Sequence, residues 1–129
     1  MTMAHERTRS LRWAFEVLNE VSEDASVSEI ERDRATQLLV NYPSPTTVLA
    51  WVESDACCIP IDAAIAIERT GDLLRHISRS QACSAELIRS VDFTLRHFPD
   101  PGSADSWAKS CEGWTIKTWL LPENQYDQR

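Results

Sequence analysis

At 129 residues the chain is one domain, long enough to bury roughly two thirds of its unfolded surface without a disulfide framework or a structural metal. It carries 13 Lys and Arg against 20 Asp and Glu, a formal charge of −7. That balance excludes a uniformly basic nucleic-acid surface and favours a basic protein partner. No apolar run approaches the roughly 20 residues of a membrane span.

The opening Met-Thr-Met-Ala-His-Glu-Arg-Thr-Arg is polar and charged and does not read as a secretory segment. The expectation is a cytoplasmic protein whose four cysteines are reduced. A first helix is predicted over residues 6–22, where Leu11, Ala14, Phe15, Leu18 and Val21 form one apolar stripe. Arg7, Arg9 and Arg12 lie near its start and Glu16 and Glu20 near its end. That order opposes the helix dipole, so packing has to fix this helix. Residues 23–27 read as a linker.

The second helix starts near Ser28, with Glu31 placed for a capping box and Ile30, Ala35, Leu38 and Leu39 on its buried side. It ends at Tyr42-Pro43, because the residue before proline disfavours helix. Glu16, Glu20, Glu23, Asp24, Glu29, Glu31 and Asp33 are seven acids against the single Arg32 across this region. They read either as two solvated helix faces or as an acidic patch for a cationic partner, with Trp13 as an aromatic anchor.

Residues 44–71 are the most apolar part of the chain and should form the centre of the core. Ser44 can cap a third helix, with Pro45 in its first turn. Val48, Leu49 and Val52 share a face, with Trp51 at its edge. Pro60 restarts the chain as a fourth helix with Ile61, Ala64, Ile65 and Glu68 on one side, and Gly71 is placed as a left-handed stop. Residues 72–77 form a short fifth helix. Ser84 caps a sixth that runs to about residue 98 and buries Leu87, Ile88, Val91, Leu95 and Phe98. Pro99-Asp100-Pro101-Gly102 ends it. In the tail, residues 104–111 suit a last helical turn or two. Residues 114–120 partly alternate, as an extended segment over the bundle would. The fold class expected is therefore all-α: a compact single-domain bundle of five to seven short helices.

An internal echo runs through this pattern. Residues 77–99 can be laid on 21–43 without a gap, each a Ser-led helix ending in an aromatic and a proline. Glu-Arg-Thr also occurs twice, at Glu6 and at Glu68, with a spacing that differs from the first by six residues. Together they suggest a duplicated helix pair, with halves 6–43 and 68–99 and the tail 104–129 packing over them.

Two resemblances follow from particular residues. Ser44, Val48 and Trp51, then Pro60, Ala64, Ile67 and Glu68, resemble the second half of the Cro-like, YdaS-type helix-turn-helix proteins of phages and prophages. In that family a Ser-x-x-x-Val recognition helix ends in Trp and is followed by a Pro-x-x-x-Ala-x-x-Ile-Glu helix. The resemblance implies a helix-turn-helix-like centre and covers under a quarter of the chain. The basic residues that the family carries after Trp are replaced here by Glu53, Asp55 and Cys57-Cys58. The opening Met-Thr-Met-x-x-Glu-Arg-Thr-Arg with a later Tyr-Pro-Ser is similar to a group of small uncharacterised proteobacterial proteins, over about the first third of the chain.

The residues offer little for catalysis. Gly71, Gly102 and Gly113 form no phosphate-binding loop, and His5, His76 and His97 are scattered. Cys57 and Cys58 lie beside Glu53 and Asp55, which disfavours a thiolate. Cys83 and Cys111 stand alone, and no zinc spacing is present. No catalytic residue, cofactor or metal is assigned. Trp13, Trp51, Trp107, Trp114 and Trp119 serve a core or a binding face. The reading that fits best is a non-catalytic protein-binding inhibitor or neutralising partner, either a monomer or a homodimer. It would be an immunity or antitoxin-like protein, or a phage-encoded antagonist of a host defence complex such as an anti-CRISPR. It would act by occlusion, its acids meeting the basic surface of a toxin or defence complex. One alternative is a Cro-like DNA-binding regulator using Ser44, Thr46, Thr47, Arg69 and Arg75. The other is a thiol or metal-binding protein.

Overall fold

The structure, a computed structural model, describes residues 3–53 and 59–99. The described residues are all-helical, in five helices: α1 (Ala4–Glu23), α2 (Glu29–Asn41), α3 (Pro45–Glu53), α4 (Ile61–Ser78) and α5 (Ala85–Leu95). None is long and apolar enough to cross a membrane. The tail, with its expected turn and extended segment, and Asp55, Cys57, Cys58 and Cys111 lie outside the described residues.

The helix starts follow from local chemistry. Ser28 Oγ accepts from the Glu31 amide at 3.3 Å and donates to the Glu31 carboxylate at 2.8 Å. Ser84 Oγ accepts from the Leu87 amide at 3.2 Å, and Ser44 Oγ from the Thr47 amide at 3.2 Å. Each hydroxyl satisfies an amide that the first helical turn leaves without a partner. At α1 the Glu6 carboxylate does the same for the Met3 amide at 2.9 Å.

Five sequence expectations are corrected. Gly71 does not stop a helix; α4 runs through it, and residues 72–77 are its continuation. Leu73, Leu74 and Ile77 extend the buried stripe begun by Ala64 and Ile67, so burial holds the chain helical past the glycine. What Gly71 does provide is space. A Cβ there would stand 3.1 Å from an Arg75 guanidinium nitrogen and 3.3 Å from Cε2 of Phe98. Ile30 is not on the buried side of α2 but 73% exposed, and Leu49 of α3 is 51% exposed. The last helix ends at Leu95, and the Phe98 amide then bonds the Leu95 carbonyl in a turn.

The core is shared by α1 and α4. Leu11, Ala14, Leu18 and Val21 on α1, and Ile67, Thr70, Leu74 and Ile77 on α4, are all fully buried. These positions match at a constant shift of 56 residues, the separation of Ser28 and Ser84. The same shift carries α1 onto α4 and α2 onto α5, and Ala35 and Leu38 onto the buried Val91 and Thr94. The packing obeys it as well. α1 packs on α2 as α4 packs on α5, and α1 packs on α5 as α4 packs on α2. The described residues thus form two helical hairpins in a pseudo-twofold arrangement, with α3 between them in sequence and packed on α1. The Glu-Arg-Thr pair does not share this register, since Thr8 corresponds to Ala64 rather than to Thr70.

Candidate functional site: the groove between α1 and α5

The cross-packing of the hairpins leaves two grooves. The first lies between α1 and α5, which run antiparallel. At one end the Ser84 amide donates to Ser26 Oγ at 2.9 Å; at the other His97 Nε2 meets a Glu6 carboxylate oxygen at 2.8 Å. This groove has a volume of about 780 Å³. Val17, Leu87 and Thr94 form its floor.

Its walls are acidic. Glu16, Glu20 and Glu23 recur at steps of four and three along α1, which places them on one face. Asp24 continues the row and Glu86 faces it from α5, against one cation, Arg89. Glu16, Glu20, Glu23 and Glu86 have no ion-pair partner among the described residues. Asp24 accepts from the Ser26 hydroxyl at 2.6 Å and from the Ser26 amide at 2.8 Å, and these bonds hold its carboxyl below the usual range. It is therefore charged throughout the neutral range. The N-terminus of α5 points at this end, so its dipole offsets part of the mutual repulsion.

The other end is aromatic. The Trp13 and Phe93 rings pack at 5.0 Å between centroids and 33° between planes, and Phe93 is 52% exposed. Arg9 lies over the Trp13 ring at 5.1 Å, and Arg96 over Phe93 at 5.3 Å. Each ring of the pair thus carries a guanidinium of its own helix or the turn after it.

The second groove, about 610 Å³ between α2 and α4, is built from corresponding positions. Where the first has Trp13, Glu16, Glu20, Ser90 and Phe93, the second has Arg69, Asp72, His76, Arg34 and Gln37. Corresponding helices therefore pack on each other with neither the aromatic pair nor the acidic row. The molecule contains its own control: those side chains are not what this packing requires.

The structure divides the acidic patch expected from sequence. Trp13, Glu16, Glu20, Glu23 and Asp24 line the first groove. Glu29 and Asp33 are exposed on α2 and do not line it. Glu31 turns toward α4, where its carboxylate lies 3.4 Å from His76 Nε2. Glu86 and Phe93 were not among the sequence candidates. Phe93 did leave a signal, because it is a large aromatic off the Leu87–Val91–Leu95 stripe.

The residues named for DNA contact are dispersed. Ser44 caps α3, and its hydroxyl and that of Thr47 bond each other at 3.0 Å, while Thr46 is exposed. Arg69 lines the second groove, and Arg75 is paired with Asp72 at 2.9 Å. Of the thiols, Cys83 is described; it is free and half-buried. No group of three or more His, Cys, Asp and Glu side chains among the described residues is arranged to hold a metal ion.

The fold and groove define an all-α bundle of two hairpins with an acidic, aromatic-ended groove. Comparison with known protein families, with characterised proteins and with solved structures finds no match.

Proposed function

We propose that the protein is a non-catalytic binding partner that uses the α1/α5 groove to cover a basic surface on another protein. One observation carries this reading: five carboxylates and an aromatic pair whose Phe93 ring is half exposed are concentrated in one groove, while its pseudo-equivalent carries neither. Surplus carboxylates destabilise a fold by mutual repulsion unless a cation arrives, and an exposed phenyl ring gains most when a partner covers it. Occlusion of a cationic cleft needs no catalytic group. Its biological setting would be that of an inhibitor or neutralising protein, whether an immunity or antitoxin-like protein or a phage-encoded antagonist of a defence complex such as an anti-CRISPR.

The test is charge reversal. Glu20→Lys/Glu23→Lys/Glu86→Lys should release a protein partner that the unaltered chain holds at low salt, with the thermal midpoint preserved. Equal retention by the folded variant would refute the reading. The rival is a Cro-like regulator that reads DNA with Ser44, Thr46, Thr47, Arg69 and Arg75. A gel shift separates the two: sequence-selective binding that weakens as salt rises favours the regulator.

A further inference from the structure

We infer that the α1/α5 groove takes its cationic partner segment in one orientation, with lysines or arginines at the Asp24 end and an apolar anchor, followed by a carboxylate, at the Phe93 end. The inference rests on the proposed function and adds a polarity to it.

The two ends of the groove differ in sign. Glu20, Glu23, Asp24 and Glu86 gather where α1 ends and α5 begins. At the far end Arg9 and Arg96 already occupy faces of the Trp13 and Phe93 rings. A cation brought to those rings would meet two guanidiniums, so the usual attraction of an aromatic for a cation is spent within the chain. What remains open there is apolar surface, since Phe93 is half exposed. The Arg96 guanidinium is held over the Phe93 ring and exposed, so its N–H fork is presented for a carboxylate. A segment laid the other way would put its cations beside Arg96 and its carboxylate beside Glu23, both repulsive. That penalty against the wrong alignment makes the groove directional.

The probe is a short capped peptide with a lysine run at one end and Trp-Glu at the other, carrying a nitroxide at either end. Its reversed sequence serves as a second probe. The full chain is labelled for NMR. A nitroxide at the lysine end should broaden the amides of Glu20, Glu23 and Glu86. One at the Trp-Glu end should broaden Phe93 and Arg96, with either peptide. Arg96→Gln should weaken the Trp-Glu peptide about two- to fivefold and leave a Trp-Gln peptide unchanged, as expected for one exposed ion pair. Equal broadening at both ends, or the reverse pattern, overturns the orientation while leaving the groove as the binding face. Absence of broadening with every probe overturns both readings. So does cross-relaxation from the Phe93 ring to residues beyond Pro99, which would give the groove to the chain's own C-terminal segment.

Discussion

Glu6 and His97 meet at 2.8 Å and join the first turn of α1 to the residue that follows α5 by two positions. The same Glu6 carboxylate accepts from the Met3 amide, and that bond, followed by the charge of His97, holds its pKa below the ordinary value. A carboxyl with a depressed folded pKa contributes stability above its unfolded pKa and loses it as pH falls through the folded one. Glu6→Gln should therefore lower the thermal midpoint by a few degrees at neutral pH. The gap to the unaltered chain should close in acid, below the ordinary carboxylate range. Melting curves across pH measure this; a gap independent of pH would remove the charge from the account.

Tyr42 is 4% exposed and its hydroxyl donates to the Leu11 carbonyl at 2.6 Å, tying the end of α2 to the middle of α1. Its counterpart in the second hairpin is Phe98, which has no hydroxyl and lies against Gly71 where Tyr42 lies near Phe15. Tyr42→Phe should fold normally and lose about 1 kcal/mol in denaturant unfolding, the ordinary net value of a buried hydrogen bond. A loss near zero would mean that this bond merely replaces one to water.

Leu18 and Leu74 occupy corresponding positions in the two hairpins and both are fully buried. If the pseudo-twofold arrangement extends to energetics, Leu18→Ala and Leu74→Ala should cost similar amounts, about 3 kcal/mol each. Chemical denaturation of the two variants decides it. A difference as large as the effects themselves would confine the equivalence to backbone geometry.

Glu16→Gln, Glu20→Gln and Glu23→Gln should leave stability unchanged or raise it, each by no more than about 0.5 kcal/mol, because these exposed carboxylates repel one another and have no ion-pair partner among the described residues. Destabilisation by several times that amount would make the acidic row a structural feature and weaken the binding proposal. The measurement is thermal unfolding of each variant at low salt, where surface charge is least screened.

The sequence by itself determined the local structure. Ser28, Ser44 and Ser84 mark helix starts because a hydroxyl before a helix has amides within reach, and Tyr42-Pro43 marks an end because proline constrains the residue before it. The acidic row on α1 was equally legible, since spacing of four and three places carboxylates on one helical face whatever surrounds it. Gly71 was not, because a glycine suits both a left-handed stop and a close approach. The choice depended on Phe98, a residue 27 positions further on. The groove depended on the fold for the same reason. Glu86 and Phe93 join Glu23 and Trp13 only once α5 packs antiparallel to α1, and Glu31 leaves the patch only because α4 places His76 beside it. Backbone hydrogen bonding acts over three or four residues and is written in order along the chain. The contacts that shape a binding surface form between helices far apart in sequence, where tertiary packing sets their partners.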